Sequence, residues 1–210
     1  MNAWGSRVVT CATLALALTG CTKQRSTMDK PPALNPPPAV EADVGVRIDE
    51  LAGLSKQFSE TAKRLPGRSA EEDRAALQQA LAELAQILPI LYGPQPDGAQ
   101  RQQLRIVQSA RAQLASPAQG LALEPTIDTA LRAARDSFAS LGRTSYFDRE
   151  QIGQTLDRLD AKVGGLDTAR GATHPQAVAE SVELMSEAVA QMSAALNDRL
   201  NGQSPTQPAQ

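Results

Sequence analysis

Aromatic side chains are nearly missing from this sequence. They make up 3% of its 210 residues, and Trp4 is the only tryptophan. A core must therefore come from Leu, Ile, Val, Met and Ala, with Phe58, Phe138 and Phe147 as its only phenylalanines. Sugar-binding platforms of stacked rings have little to be made from. Histidine is rarer still. His174 is the only one, so no Ser-His-Asp arrangement can be assembled without it, and no zinc site with several His ligands can form. There are two cysteines, Cys11 and Cys21, and neither belongs to a CxxCH haem attachment. The Gly-rich loops that cradle phosphates are absent, as are the Glu-x-x-His pairs of di-metal bundles. β-branched residues never gather into alternating runs, which leaves no strand signal.

A basic excess is missing too. The formal net charge is −2, which argues against a nucleic-acid partner. Arg101/Arg105 and Arg132/Arg135 read as solvated helix faces. Glu71, Glu72 and Asp73 fall in a first helical turn, where the helix dipole already explains them. Asp157 and Asp160 flank Arg158 and Lys162 and read as solvated ion pairs. His174 adjoins Pro175 at a helix start and reads as a cap or surface residue. The expectation is a chain with no catalytic residue, no metal site and no cofactor.

What is present begins with VVTCATLALAL, residues 8–18, the one strongly apolar and uncharged run in the first fifty residues. It follows MNAWGSR, which carries a single positive side chain, Arg7. The run is too short to cross a bilayer, which takes about 20 residues, but it suits the apolar segment of a secretory leader. It ends in Leu18-Thr19-Gly20-Cys21. These four residues resemble the lipobox of bacterial lipoprotein precursors at every position, and the resemblance covers residues 1–21 only. It implies that Leu18, Thr19 and Gly20 are recognised by the signal peptidase. Small residues at 19 and 20 leave the backbone accessible, and Leu18 fills an apolar subsite. It also implies that the Cys21 thiol takes a diacylglyceryl group and that residues 1–20 are removed. In many Gram-negative bacteria the freed amino group is then acylated as well. The covalent lipid would hold the chain on a membrane. Residue 22 is Thr rather than the Asp that marks inner-membrane retention in enterobacteria, so the family rule points to the outer membrane, facing the periplasm. Cys11 would be discarded, leaving no possible intramolecular disulfide. Loss of Arg7 would take the net charge to about −3, still near neutral.

After the cysteine, residues 21–41 form a Pro-rich stretch. Pro31, Pro32, Pro36, Pro37 and Pro38 lock φ and remove donors, so neither helix nor sheet is expected there. Extended, twenty such residues reach on the order of 60 Å, enough to clear lipid headgroups. The end of the chain, residues 202–210 (GQSPTQPAQ), is polar and expected to be disordered.

Between them, over 42–201, apolar residues step by three and four, the mark of amphipathic helices. Val44, Ile48, Leu51, Leu54, Phe58, Ala62 and Leu65 stripe a first helix, stopped by Pro66-Gly67. Ser69 through Glu72 reads as a capping box for a second, striped by Leu77, Leu81, Leu84, Leu88 and Leu91, with Pro89 in its last turn. A third carries Leu104, Val107, Ala110 and Leu114. The fourth has Pro125 in its first turn and Ile127, Leu131, Ala134, Phe138 and Leu141 as its stripe. Asp148 to Gln151 is expected to cap a fifth, with Ile152, Leu156, Leu159, Val163 and Leu166. The sixth opens at Thr173 or His174 and runs through Val178, Val182, Met185, Val189, Met192, Leu196 and Leu200. The fold class expected is all-α: an antiparallel bundle of five to six amphipathic helices with coiled-coil-like stepping. Ala188 and Ala195 should let helices approach closely.

These features lead to the expectation of a membrane-anchored envelope lipoprotein whose non-catalytic helical domain binds another envelope protein. Met185 and Met192 would serve such a surface if exposed, because Met adapts to varied partners. The alternative is a carrier of apolar small molecules or lipids, for which an Ala/Leu-lined cavity would be the sign.

Overall fold

The computed structural model describes residues 38–116, 122–169, 171 and 173–202, with side chains from Arg47 onward. Leu18, Thr19, Gly20, Cys21, the Pro-rich stretch up to residue 37 and the end of the chain from residue 203 lie outside the described residues. The chain divides into two units, Met1–Asn35 and Pro36–Gln210, and everything below concerns the second.

The described residues form an all-α bundle of six helices: α1 (Pro38–Ala62), α2 (Ala70–Tyr92), α3 (Gly98–Ala115), α4 (Glu124–Gly142), α5 (Glu150–Gly164) and α6 (Thr173–Leu200). A short 3-10 turn, Gly165–Thr168, follows α5. α1 begins at Pro38, inside the stretch expected to be non-helical. As the first helical residue, Pro38 gives up only an amide that a helix start leaves unused.

The helix starts use different devices. Ser69 accepts from the Glu72 amide (3.2 Å), but Glu72 Oε2 accepts from the Arg68 amide (2.7 Å), so the expected box is displaced by one residue on its return arm. A full reciprocal box occurs instead at α3, where Asp97 and Gln100 exchange bonds of 2.8 and 2.9 Å. α5 has no side-chain cap, contrary to expectation. Arg149 reaches across to Asp198 of α6 (2.8 Å). At the far end of α2, Gly93 takes φ 75°, which favours glycine, and its amide donates to Ile90.

Each helix packs on its neighbours in the chain, and α1 closes the ring against α6. The even helices, α2, α4 and α6, also touch one another. They make an inner triad, with α1, α3 and α5 seated in its outer grooves. The burial pattern follows. α3 buries only Val107, Ala110 and Leu114, whereas α6 buries a broad face that includes Ser181, Ser186 and Ser193. A helix with four neighbours cannot keep one wet side, so its hidden polar groups must be small and locally bonded. Ser137 and Ser181 each donate to the carbonyl four residues back, at 2.8 Å. Small residues (Ala80, Ala130, Ala134, Ala188) are buried on the three inner helices and allow close approach of their neighbours. Met185 and Met192 are fully buried, so the idea of a Met docking face is overturned. Both lie on the face that α6 turns into the bundle, where a flexible thioether fills irregular gaps.

Most of the ion pairs bridge elements; Arg135–Asp136, within α4, is the exception. Arg132 pairs with Asp167, Arg135 with Asp136 and Asp160, Arg158 with Glu187, and Lys162 with Glu180. Lys162 beside Glu180 holds that carboxyl below the usual carboxylate range. Such exposed pairs are screened by solvent and fix register more than stability.

Candidate functional site

Because successive helices reverse, α2, α4 and α6 all start at one end of the bundle, where α1 and α3 finish. A cavity of about 350 Å³ opens there. Its walls are mainly apolar: Leu65 beyond α1, Leu77 of α2, Leu114 of α3, Leu123 and Ile127 at α4, and Val178 of α6. The volume lies at the lower end of the range for small-molecule sites. Surface grooves elsewhere on the bundle have more polar walls; the one between α5 and α6, for example, holds Arg158, Lys162, Glu180 and Glu187.

Polar groups enter the cavity at the helix starts. Asp73 accepts from the Gly67 amide (2.6 Å) and so holds the turn between α1 and α2. Arg74 and Glu124 stand at its rim. His174 is 4% exposed and its Nε2 lies 2.8 Å from Asp128 Oδ1, so the ring donates across from α6 to α4. It is therefore neither a surface residue nor a cap, as the sequence led one to expect. Because α4 and α6 start at the same end of the bundle, His174 and Asp128 lie side by side, 46 positions apart in the chain. The three helix dipoles meeting here are offset by the acids Glu71, Glu72 and Asp73 in the first turn of α2 and Glu124 in that of α4.

The imidazole–carboxylate pair has no nucleophilic Ser, Thr or Cys among the cavity's lining residues. Among the described residues no group of three or more His, Cys, Asp or Glu is placed to hold a metal ion. The pair acts as a clamp between two inner helices. Asp128→Ala should leave His174 buried without its partner and cost about 1–3 kcal/mol. The double variant Asp128→Leu/His174→Leu should recover part of that loss. Urea unfolding followed by circular dichroism would measure both.

Elsewhere, Tyr92 donates to Ser137 (2.7 Å), linking α2 to α4, and burial pushes its phenol above the ordinary value despite that bond. No described helix is long and apolar enough to cross a membrane. The predicted lipidation residue Cys21 and the peptidase residues Leu18, Thr19 and Gly20 fall outside the described residues.

The class defined by fold and site is an all-α bundle with an apolar end cavity. No protein-family model matches the chain, and no curated protein or solved structure matches it. The functional reading rests on the chain's own residues.

Proposed function

We propose that the chain is an envelope lipoprotein, acylated at Cys21, whose non-catalytic helical domain binds a small apolar molecule or lipid in its end cavity. The observation that carries the binding reading is that cavity: about 350 Å³ of space, walled chiefly by Leu, Ile and Val. A surface for docking another envelope protein has less in its favour. Among the described residues the large exposed apolar side chains are Tyr146 and Leu200, and Arg199 stacks over the Tyr146 ring at 4.4 Å. Neither makes a contiguous apolar patch. The lipobox supports the anchor, and residue 22 supports the outer membrane facing the periplasm. The described part of the Pro-rich stretch enters the bundle at Pro38, at the end opposite the cavity, since α1 runs 25 residues, or about 37 Å, away from it.

The test is binding of an apolar dye, anilinonaphthalene sulfonate, to the folded chain. Saturable binding is expected, and Ile127→Trp should weaken it about tenfold by filling the cavity. With Trp4 gone, the new indole would also be the only tryptophan and would report on the cavity directly. Dye binding that is absent, or indifferent to Ile127→Trp, would overturn the reading.

A further inference from the structure

A second hollow lies along the outside of the bundle, between α1 and α2. It encloses about 760 Å³ and includes Gln57, Glu60, Thr61, Arg64, Gln79 and Glu83 in its walls. Glu83 stands apart from the other acids of the chain. It is 3% exposed, in a helix whose other buried positions are all Ala, Leu or Ile. Its Oε1 accepts from the Thr61 hydroxyl (3.0 Å) and from the Gln79 amide (2.8 Å). Its Oε2 is buried with no hydrogen-bond partner. Both donors line the groove, so the carboxylate lies at the groove floor.

A buried carboxylate with one oxygen unmatched is costly unless something supplies the missing donor and positive charge. Among the described residues no Lys or Arg does so. Arg64, on the same groove, is exposed and makes no bond to it. We infer that this groove binds a primary ammonium group, with Glu83 as its counter-ion.

The geometry selects ammonium over guanidinium. A guanidinium fork needs both carboxylate oxygens free, and Oε1 is already occupied twice. A compact ammonium has three donors and needs only Oε2, which it reaches once an exposed side chain of the groove moves aside, leaving two for nearby oxygens. The Thr61 hydroxyl spends its proton on Glu83, so its lone pairs remain as acceptors. The Gln57 side-chain carbonyl is a second acceptor in the wall. Glu60 and Glu72, exposed on the same groove, add a field that draws cations inward. Ala75 and Ala76 on the α2 wall leave space for an alkyl stem beside the charge. This site is separate from the end cavity and does not depend on what fills it.

The test uses the folded, isotopically labelled protein and two probes, n-butylammonium and tetramethylammonium. The second carries the same charge but no N–H donor. Butylammonium should shift the amides of Ala75, Ala76 and Gln79 saturably, with an affinity around the millimolar range for so small a ligand. Tetramethylammonium should bind about tenfold more weakly or not at all. Glu83→Gln preserves side-chain volume and should abolish the response. Should that variant unfold, Ala75→Met provides the second arm: it lies on an exposed helix position, suits helix, and fills the groove without touching Glu83. Loss of binding in Ala75→Met would support the site. Equal response to both probes, no saturable response, or binding unchanged in either variant would overturn it.

Discussion

Cys21→Ser, exported as residues 21–210 behind an unrelated cleavable leader, should be recovered entirely in the soluble fraction. The natural chain should need detergent for extraction. The size of the effect follows from the chemistry of the anchor. Each buried methylene contributes about 0.8 kcal/mol, so two long acyl chains together supply on the order of 20 kcal/mol, where a single myristoyl chain binds only marginally. No described helix is long and apolar enough to span a membrane. Intact-mass analysis of the natural chain should show loss of residues 1–20 and gain of a diacylglyceryl group. An unmodified thiol at Cys21, or a natural chain that is soluble without detergent, would overturn the lipoprotein reading while leaving both binding sites standing.

The helices were legible because stripes spaced by three and four survive any tertiary context. Phe58, Leu84, Phe138, Leu159 and Val189 all lie where those stripes put them, at no measurable exposure. Helix ends followed the punctuation as well, with Gly93, Ser116 and Gly165 closing α2, α3 and α5. A stripe, however, gives one face and not the number of neighbours. The split into an inner triad and outer helices depends on α1 closing against α6, a contact between opposite ends of the domain. Glu83 illustrates the consequence. It sits between Ala82 and Leu84, off the leucine stripe, and only the breadth of α2's buried face takes it out of water. His174 was misjudged for the same reason, since its partner Asp128 comes from a helix distant in sequence. The signal overlooked at α3 was local: Asp97 followed three residues later by Gln100. The ion pairs were read along the helix, when long side chains on a closed ring find their partners across it.

Phe138→Ala tests the inner triad most severely. The ring is fully buried in α4, which touches α2, α3, α5 and α6, so its loss opens space that several helices would have to close together. Such a truncation costs about 3–5 kcal/mol, the sum of lost burial and the cavity left behind. Domains of this size hold about 5–15 kcal/mol in all, so one substitution would remove a large share. The scarcity of aromatics sharpens the expectation. Only Phe58, Phe138 and Phe147 supply phenyl rings, and the buried core is otherwise aliphatic. Urea unfolding should show a lower midpoint with an unchanged slope, which identifies a loss of native stability rather than an altered unfolded state. Leu200→Ala, at an exposed position on the last turn of α6, should shift the midpoint little. A cost below about 1 kcal/mol for Phe138→Ala would mean that the inner helices can collapse onto the vacated space. The triad would then be a loose association rather than the close-packed centre on which the end cavity depends.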